Sequence, residues 1–275
     1  MTIPALGSSV APAGRERARI APPPRRRDAR VGTGLILPAA ILGLWELAAR
    51  SGVLRAHLLP APSAVIASLF DLQRQGVLFA HVGATCLRVL AGFLLGAALG
   101  TVLGVVTGRN ARAHALLDPL LQALRSIPSL SWVPLFLLWL GIQETSKVAL
   151  IAVGVFFPVY LNLMSGIQSI DARLLEVADM FDYHGARLAR HVLLPAALPA
   201  YITGLRSGLG LGWMFVVAAE LMGASQGLGY LMVDGQTTSR PELILAAILL
   251  FAMLGKLSDH LLERLGRRTQ PWRER

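Results

Sequence analysis

Long apolar segments recur along the chain and restrict what it can fold into. Each contains about 20 residues, the length at which a helix crosses about 30 Å of hydrocarbon. They occupy residues 31–49, 87–107, 119–141, 148–167, 200–222 and 242–265. The sequence therefore predicts an all-α, polytopic membrane protein with about six transmembrane helices.

Composition supports this class. Hydrophobic residues make up 54% of the chain and charged residues 15%, and the mean hydropathy is +0.58, above what a soluble domain needs to fill its core. The net charge of +10 would favour a nucleic-acid partner in a soluble protein. Here the arginines cluster in the tails and in short connections between apolar segments, as the positive-inside rule requires. Nucleic acid is therefore excluded as a partner, and membrane lipid is expected to surround the protein.

The first apolar segment, 31–49, has two interpretations. Arginines precede it and small residues follow it, as in a cleavable signal peptide. Trp45 and Glu46 lie where a signal core is purely aliphatic, however, and further apolar segments follow. A spanning helix is therefore favoured over a signal peptide.

Charge also predicts the topology. An even number of spans places both tails on the same side of the membrane. The arginines in the tails predict that this side is cytoplasmic and that the protein lies in a bacterial inner membrane. The predicted divisions are a disordered cytoplasmic tail 1–30, a transmembrane domain 31–265 and a cytoplasmic tail 266–275. The connections 108–118 and 168–199 would then be cytoplasmic, and 51–80, 142–147 and 223–241 would face outward.

Two spans carry glycine at every fourth position. The glycines are Gly92, Gly96, Gly100, Gly104 and Gly108 in one span, and Gly204, Gly208 and Gly212 in another. Small faces let helix backbones approach closely in lipid, so these stripes predict helix-packing faces. A third span, 119–141, is interrupted by Pro128 and Pro134, and either a kinked span or a helix that enters late fits this pattern.

No motif predicts chemistry within this chain. Gly255-Lys256-Leu257 resembles a phosphate-binding loop but lacks its upstream glycine and its hydroxyl residue. Cys86 is the only cysteine, and the histidines lack metal-ligand spacing. We therefore expect no catalytic site, no metal site and no bound cofactor; any ATP hydrolysis would belong to another subunit.

The connection 168–199 is the most informative segment. Leu174, Leu175, Ala178 and Phe181 share one helical face after Asp171, a residue suited to capping a helix. The turn Tyr183-His184-Gly185 separates this helix from a second helical stretch. The pattern predicts a helix–turn–helix on the cytoplasmic face, and a solvated amphipathic loop and a partner-docking element both fit it.

Family resemblance favours docking. Glu176-Val177-Ala178, with Leu194-Pro195 at the end of the segment, resembles the EAA loop of permease subunits of binding-protein-dependent ABC importers. The resemblance covers about residues 33–265 and includes LRSIPSLSWVPLFLLWLGIQETSK (124–147) and ALPAYITGLRSGLGLGWMFVVAAEL (197–221). It is nearest to the branch that handles aliphatic sulfonates, taurine and nitrate, with aliphatic sulfonate the favoured substrate.

The resemblance implies the type I permease fold of ABC importers and a complex of several subunits with separate functions. A homodimer of this chain would work with an ABC ATPase, which binds ATP and Mg, and with an extracytoplasmic substrate-binding protein. The residues implied in ATPase coupling are Glu176, Ala178, Asp179, Asp182, Gly185, Arg187, Leu194 and Pro195. Asp182 stands where the family usually has glycine; Asp tolerates positive φ, so we expect the turn still to form there or at Gly185.

Polar residues within the spans are candidates for the translocation path. They are Tyr160, Asn162, Ser207, Trp213 and Glu220, and such residues tend to face a cavity or a partner. An interfacial carboxylate at a helix end is the alternative for Glu220. Two other function classes, an ion-coupled secondary transporter and a membrane-embedded enzyme, lack support, since inverted repeats and a convergent polar constellation are not seen.

Overall fold

The structure is a computed structural model and describes residues 29–52, 55 and 58–269. The described residues are mostly helical. The helices are α1 (Ala29–Arg50), α2 (Pro62–Arg74), α3 (Leu78–Arg109), α4 (Ala111–Ser126), α5 (Val133–Leu140), α6 (Glu144–Gln168), α7 (Ala172–Met180), α8 (Gly185–Leu188), α9 (Leu194–Ala196), α10 (Leu198–Leu221), α11 (Leu228–Thr237) and α12 (Pro241–Arg268). Of the described residues, 29–44 and 45–269 fall in two separate units.

Four helices of the described chain are long and apolar enough to cross a membrane: α3, α6, α10 and α12. They contain three of the predicted spans in full and the fourth, 200–222, except for its last residue; α3, with 32 residues, extends furthest beyond its predicted span. The first predicted span, 31–49, lies within α1, which is not one of these four. Most of the predicted tails 1–30 and 266–275 lies outside the described residues.

The predicted span 119–141 is a broken one. Helix α4 and the helical stretch Leu130–Leu140 are bent by 87° relative to each other. The chain leaves α4 at Ile127 and passes through Pro128, whose ring cannot continue a helix. Pro134 lies in the first turn of α5, where no amide donor is needed. The predicted interruption at Pro128 is therefore present, and the two helices form either one broken span or a re-entrant loop.

The connection predicted at 108–118 is much shorter than expected. Helix α3 continues to Arg109, and α4 begins at Ala111. Asn110 alone joins them, and its side-chain oxygen accepts hydrogen bonds from the amides of Arg112 (2.9 Å) and Ala113 (3.3 Å). The cap starts a new helix immediately, so the polar residues after Asn110 are helical.

Helix α6 is the centre of the fold, with α3 on one side and α10 on the other. Its residues Ile151, Val155 and Val159 are fully buried. Short helices α2 and α11, which the sequence did not predict, pack through Leu72 and Leu228 against the N-terminal half of α12.

Both glycine stripes pack against α6, as predicted. A methyl group on Gly100 would lie 2.9 Å from the Phe156 carbonyl oxygen, and one on Gly208 would lie 3.1 Å from that of Val155. A Cβ on Gly96 would meet the Ala152 carbonyl oxygen directly. The glycines therefore allow backbone-to-backbone contact across both interfaces.

Candidate functional site

The segment 168–199 forms the predicted helix–turn–helix. The Asp171 carboxylate caps α7 by accepting a hydrogen bond from the Arg173 amide at 3.0 Å. Ala178 of α7 is 4% exposed and packs with Leu163 and Ile167, which lie at the cytoplasmic end of α6 in the predicted topology. Leu188 and Leu193 join the same cluster. The segment is thereby fixed to the membrane helices and can transmit a displacement to them.

The turn between α7 and α8 forms at Asp182, the aspartate that stands where the family usually has glycine, as expected. Asp182 has φ 57° and Gly185 has φ 55°, so both positions that were considered for the turn adopt the left-handed region. His184 lies between two carboxylates, 3.0 Å from Asp179 and 3.2 Å from Asp182. Asp182 therefore replaces glycine without preventing the turn.

The face of α7 that points away from the rest of the protein is apolar and exposed. Met180 is 85% exposed and Phe181 is 72% exposed, and Leu174 and Val177 are also exposed. Of the four residues assigned to one apolar face, only Leu175 and Ala178 pack into the protein; Leu174 and Phe181 point away from it. Large exposed apolar side chains that lie together mark an interaction surface.

A cavity of about 1050 Å³ separates this loop from the junction of α3 and α4. Arg109 and Asn110 line one side, and Glu176, Asp179 and Gly185 line the other. The structure thus brings three of the predicted coupling residues to one cavity. The other five predicted positions do not line it: Ala178 packs against α6, Asp182 and Arg187 are exposed, and Leu194 and Pro195 begin α9.

The predicted path residues separate into two groups. Asn162 and Ser207 lie on open faces: Asn162 lines a cavity of about 260 Å³, and Ser207 is exposed. Tyr160 is 1% exposed and packs against Leu121 of α4. The indole nitrogen of Trp213 donates to Ser258 at 2.8 Å and ties α10 to α12. Tyr160 and Trp213 therefore stabilise helix contacts.

Glu220, the last of these candidates, is 1% exposed and belongs to a buried ion pair. Its carboxylate accepts hydrogen bonds from Arg88 (2.7 Å), from the Thr85 hydroxyl (2.8 Å) and from the Gly229 amide (2.7 Å). Arg88 also binds Glu144, whose side chain is 60% exposed. The interaction joins α3, α6, α10 and α11, so Glu220 is not an open path residue. It lies at the end of α10, as the alternative predicted, but it is buried there in an ion pair.

Sequence reasoning missed Arg88 and two other charged residues in the spans. Arg206 of α10 donates to both carboxylate oxygens of Asp259 in α12, at 2.8 and 2.9 Å. All three residues occur inside predicted spans, where an ionisable side chain requires a partner or water. Their location inside apolar segments could have identified these residues as functionally or structurally important. Their partners could not be assigned from sequence, because the paired residues lie 53 positions apart in one pair and 132 in the other.

Comparison with known proteins places this arrangement in a family. Residues 96–271 match the family described as "Binding-protein-dependent transport system inner membrane component". Proteins named "Putative aliphatic sulfonates transport permease protein" from Bacillus subtilis and Escherichia coli are 42% and 41% identical to the chain. The first alignment covers 87% of both chains; the second covers 86% of this chain and 90% of its relative.

A further relative, the taurine transport system permease protein of Escherichia coli, is 31% identical over 90% of this chain and 92% of its own length. The family match includes the segment 168–199 and three of the four long apolar helices in full. The chain therefore belongs to the family of inner membrane components of binding-protein-dependent transport systems.

Proposed function

We propose that this permease subunit imports an aliphatic sulfonate. The observation that carries the proposal is the level of identity: 42% and 41% to two relatives named for aliphatic sulfonates, against 31% to the relative named for taurine. As an ABC importer permease, the chain is a transport subunit that works with an ATPase and a substrate-binding protein. ATP and Mg are proposed to bind to the ATPase, not to this chain.

Taurine is the second candidate, because the taurine permease aligns over nearly the whole chain. Both candidates carry a sulfonate group, so the same permease surface could interact with either. The test is uptake of radiolabelled ethanesulfonate by the complete importer in proteoliposomes, with taurine and nitrate as competitors. We expect ATP-dependent ethanesulfonate uptake that taurine inhibits only weakly and nitrate does not inhibit. Preferential uptake of taurine or nitrate would contradict the assignment.

We also propose that the exposed apolar face of α7 docks the ATPase. Its support is the exposure of Met180 and Phe181 beside the coupling residues Glu176 and Asp179. The loop contacts α6 through Ala178, so a displacement of the ATPase would reach the membrane helices directly. Opening and closing of the permease would then follow the ATPase cycle.

Phe181→Asp tests this docking surface. Burying a carboxylate in an apolar contact is costly, so we expect co-purification of the ATPase and ethanesulfonate uptake to fall about ten-fold, which corresponds to about 1.4 kcal/mol. Phe181→Leu retains most of the apolar area and is the matched control. Membrane insertion should be normal in both variants, since Phe181 is 72% exposed. Normal co-purification with Phe181→Asp would rule out this face as the docking site.

The orientation proposed for the chain places both termini in the cytoplasm, on the basis of the arginine distribution. Single cysteines in a Cys86→Ser background test it. Arg112→Cys and Gln270→Cys should resist a membrane-impermeant thiol reagent in intact cells. Gln75→Cys, at the exposed end of α2, should react. Reaction at the first two positions without reaction at the third would reverse the topology.

A homodimer is proposed for a physical reason as well as for the family resemblance. In a single subunit, Ser165 of α6, Ser169 directly after it, and Thr203 and Ser207 of α10 are exposed. Polar faces at membrane depth are avoided in contact with lipid tails. A second copy facing these helices across an aqueous path would remove them from lipid.

A further inference from the structure

Arg125 lies at the break in the span formed by α4 and α5. It occupies the last turn of α4, and the chain turns away immediately after it through Ser126, Ile127 and Pro128. These three residues are exposed. Irregular backbone is tolerated at membrane depth only where it is buried in protein or borders water. This segment is not buried in the subunit, so within a membrane it must either contact a second subunit or border water.

The depth of Arg125 follows from its neighbours. It lines a cavity of about 280 Å³ together with Gly154, Phe157 and Pro158 of α6 and Leu211 of α10. Gly154 and Pro158 lie near the midpoint of α6, which extends from Glu144 to Gln168. Leu211 is likewise near the middle of α10. The side chain therefore enters a cavity about halfway across the membrane.

Arg125 has no acidic partner within the described residues, unlike three other cations of the spans, although Lys256 of α12 has none either. Arg88, Lys147 and Arg206 each form a salt bridge. Arg125 is exposed and forms none with any residue of the described chain. A bare guanidinium is costly in hydrocarbon and marks an ion or substrate pathway.

A polar face of α6 leads from this cavity toward the cytoplasm. A second cavity of about 260 Å³ shares Leu161 with the first and is lined by Asn162, Ser165 and Ser169. Asn162 and Ser165 lie on one side of α6, and Ser169 follows directly after the end of the helix at the same spacing. Together, the two cavities place a cation beside the middle of α6 and neutral hydrogen-bonding groups nearer to the C-terminal end of that helix.

We propose that Arg125 is the anion-selecting residue of the translocation path, where its guanidinium donates hydrogen bonds to the sulfonate oxygens of the passing substrate. This inference rests on the proposed sulfonate import. Arginine suits the role because it is always charged and its planar fork can donate two parallel hydrogen bonds to an oxyanion. A single exposed cation holds the anion weakly, as passage requires, since a transported ion must enter and also leave.

Charge reversal at one engineered cysteine tests the proposal within a single folded protein. In the complete importer with Cys86→Ser, Arg125→Cys should reduce initial ethanesulfonate uptake about ten-fold or more. Modification with aminoethyl methanethiosulfonate, which restores a positive charge, should raise uptake at least about three-fold. Sulfonatoethyl methanethiosulfonate, which adds a negative charge, should lower it further. Ethanesulfonate should slow both modifications.

Conventional variants provide the controls. Arg125→Lys retains the charge and should transport within about three-fold of the unmodified protein, whereas Arg125→Gln should behave like Arg125→Cys. Arg112→Gln removes a charge from the exposed start of the same helix and should leave uptake unchanged. Co-purification of the ATPase should be normal in all of these variants.

The outcomes separate the two proposals. An unmodified importer that does not take up ethanesulfonate overturns both the sulfonate assignment and the role of Arg125. An importer that does so, with Arg125→Gln transporting within about two-fold of it, overturns the role of Arg125 alone. Equal effects of the cationic and anionic adducts would also overturn that role. So would failure of both Arg125→Gln and Arg125→Cys to assemble, since it would make Arg125 a structural residue.

Discussion

Gly96→Leu is expected to abolish assembly of the permease. A Cβ at Gly96 would meet the Ala152 carbonyl oxygen and lie 2.9 Å from the Val155 Cβ. The obstructing atoms include helix backbone, which no side-chain rotation can move. The larger leucine would force α3 away from α6, and the cost of such overpacking is about 3 kcal/mol or more. That is a large fraction of the stability of a folded protein.

The matched control is Gly83→Leu on the same helix. No heavy atom lies within 4 Å of a Cβ placed at Gly83, so the same substitution should be tolerated there. The measurement is the yield of monodisperse protein after detergent extraction, followed by ethanesulfonate uptake. Normal yield and uptake for Gly96→Leu would mean that α3 and α6 are not in backbone contact in the assembled importer.

Arg88→Met is expected to destabilise the permease severely, because it leaves the Glu220 carboxylate without its cation. Glu220 has no exposed side-chain surface, and a buried charge that loses its partner costs about 3–5 kcal/mol. The Thr85 hydroxyl and the Gly229 amide would remain as donors but carry no compensating charge. We expect a large decrease in the unfolding temperature of the purified protein in detergent.

Two companion variants separate charge from packing. The double variant Arg88→Met with Glu220→Gln removes both charges, so much of the lost stability should return. Arg267→Met breaks a pair with Glu263 at the end of α12, where the arginine side chain is 69% exposed; its effect should be far smaller. A double variant as unstable as Arg88→Met would show that packing around the guanidinium, not the uncompensated charge, is responsible.

The segment 168–199 shows how far local sequence reasoning extends. The Asp171 cap, the helix that follows it and the positive φ of Asp182 are local properties, and each was predicted and is present. The outward orientation of Phe181 was not predicted. Helical periodicity groups residues on one face, but whether that face meets the protein depends on how α7 lies against α6.

The sequence by itself determined the elements that depend on length and residue size. Apolar runs of about 20 residues must form helices in lipid, and glycine at every fourth position gives a helix a flat face for close packing. The break at Pro128 follows from the missing amide hydrogen and the ring of proline. These properties require no knowledge of which helices are neighbours.

Only the tertiary structure decided which charged residues are paired. Arg88 meets Glu220 and Arg206 meets Asp259, whereas Arg125 faces a cavity at mid-depth. All three arginines look alike in sequence, as single cations in or beside apolar segments. Their roles differ because the order and rotation of packed helices fix which distant side chains come within hydrogen-bonding distance, and in the low-dielectric membrane interior that proximity determines whether a charge is structural or available to a substrate.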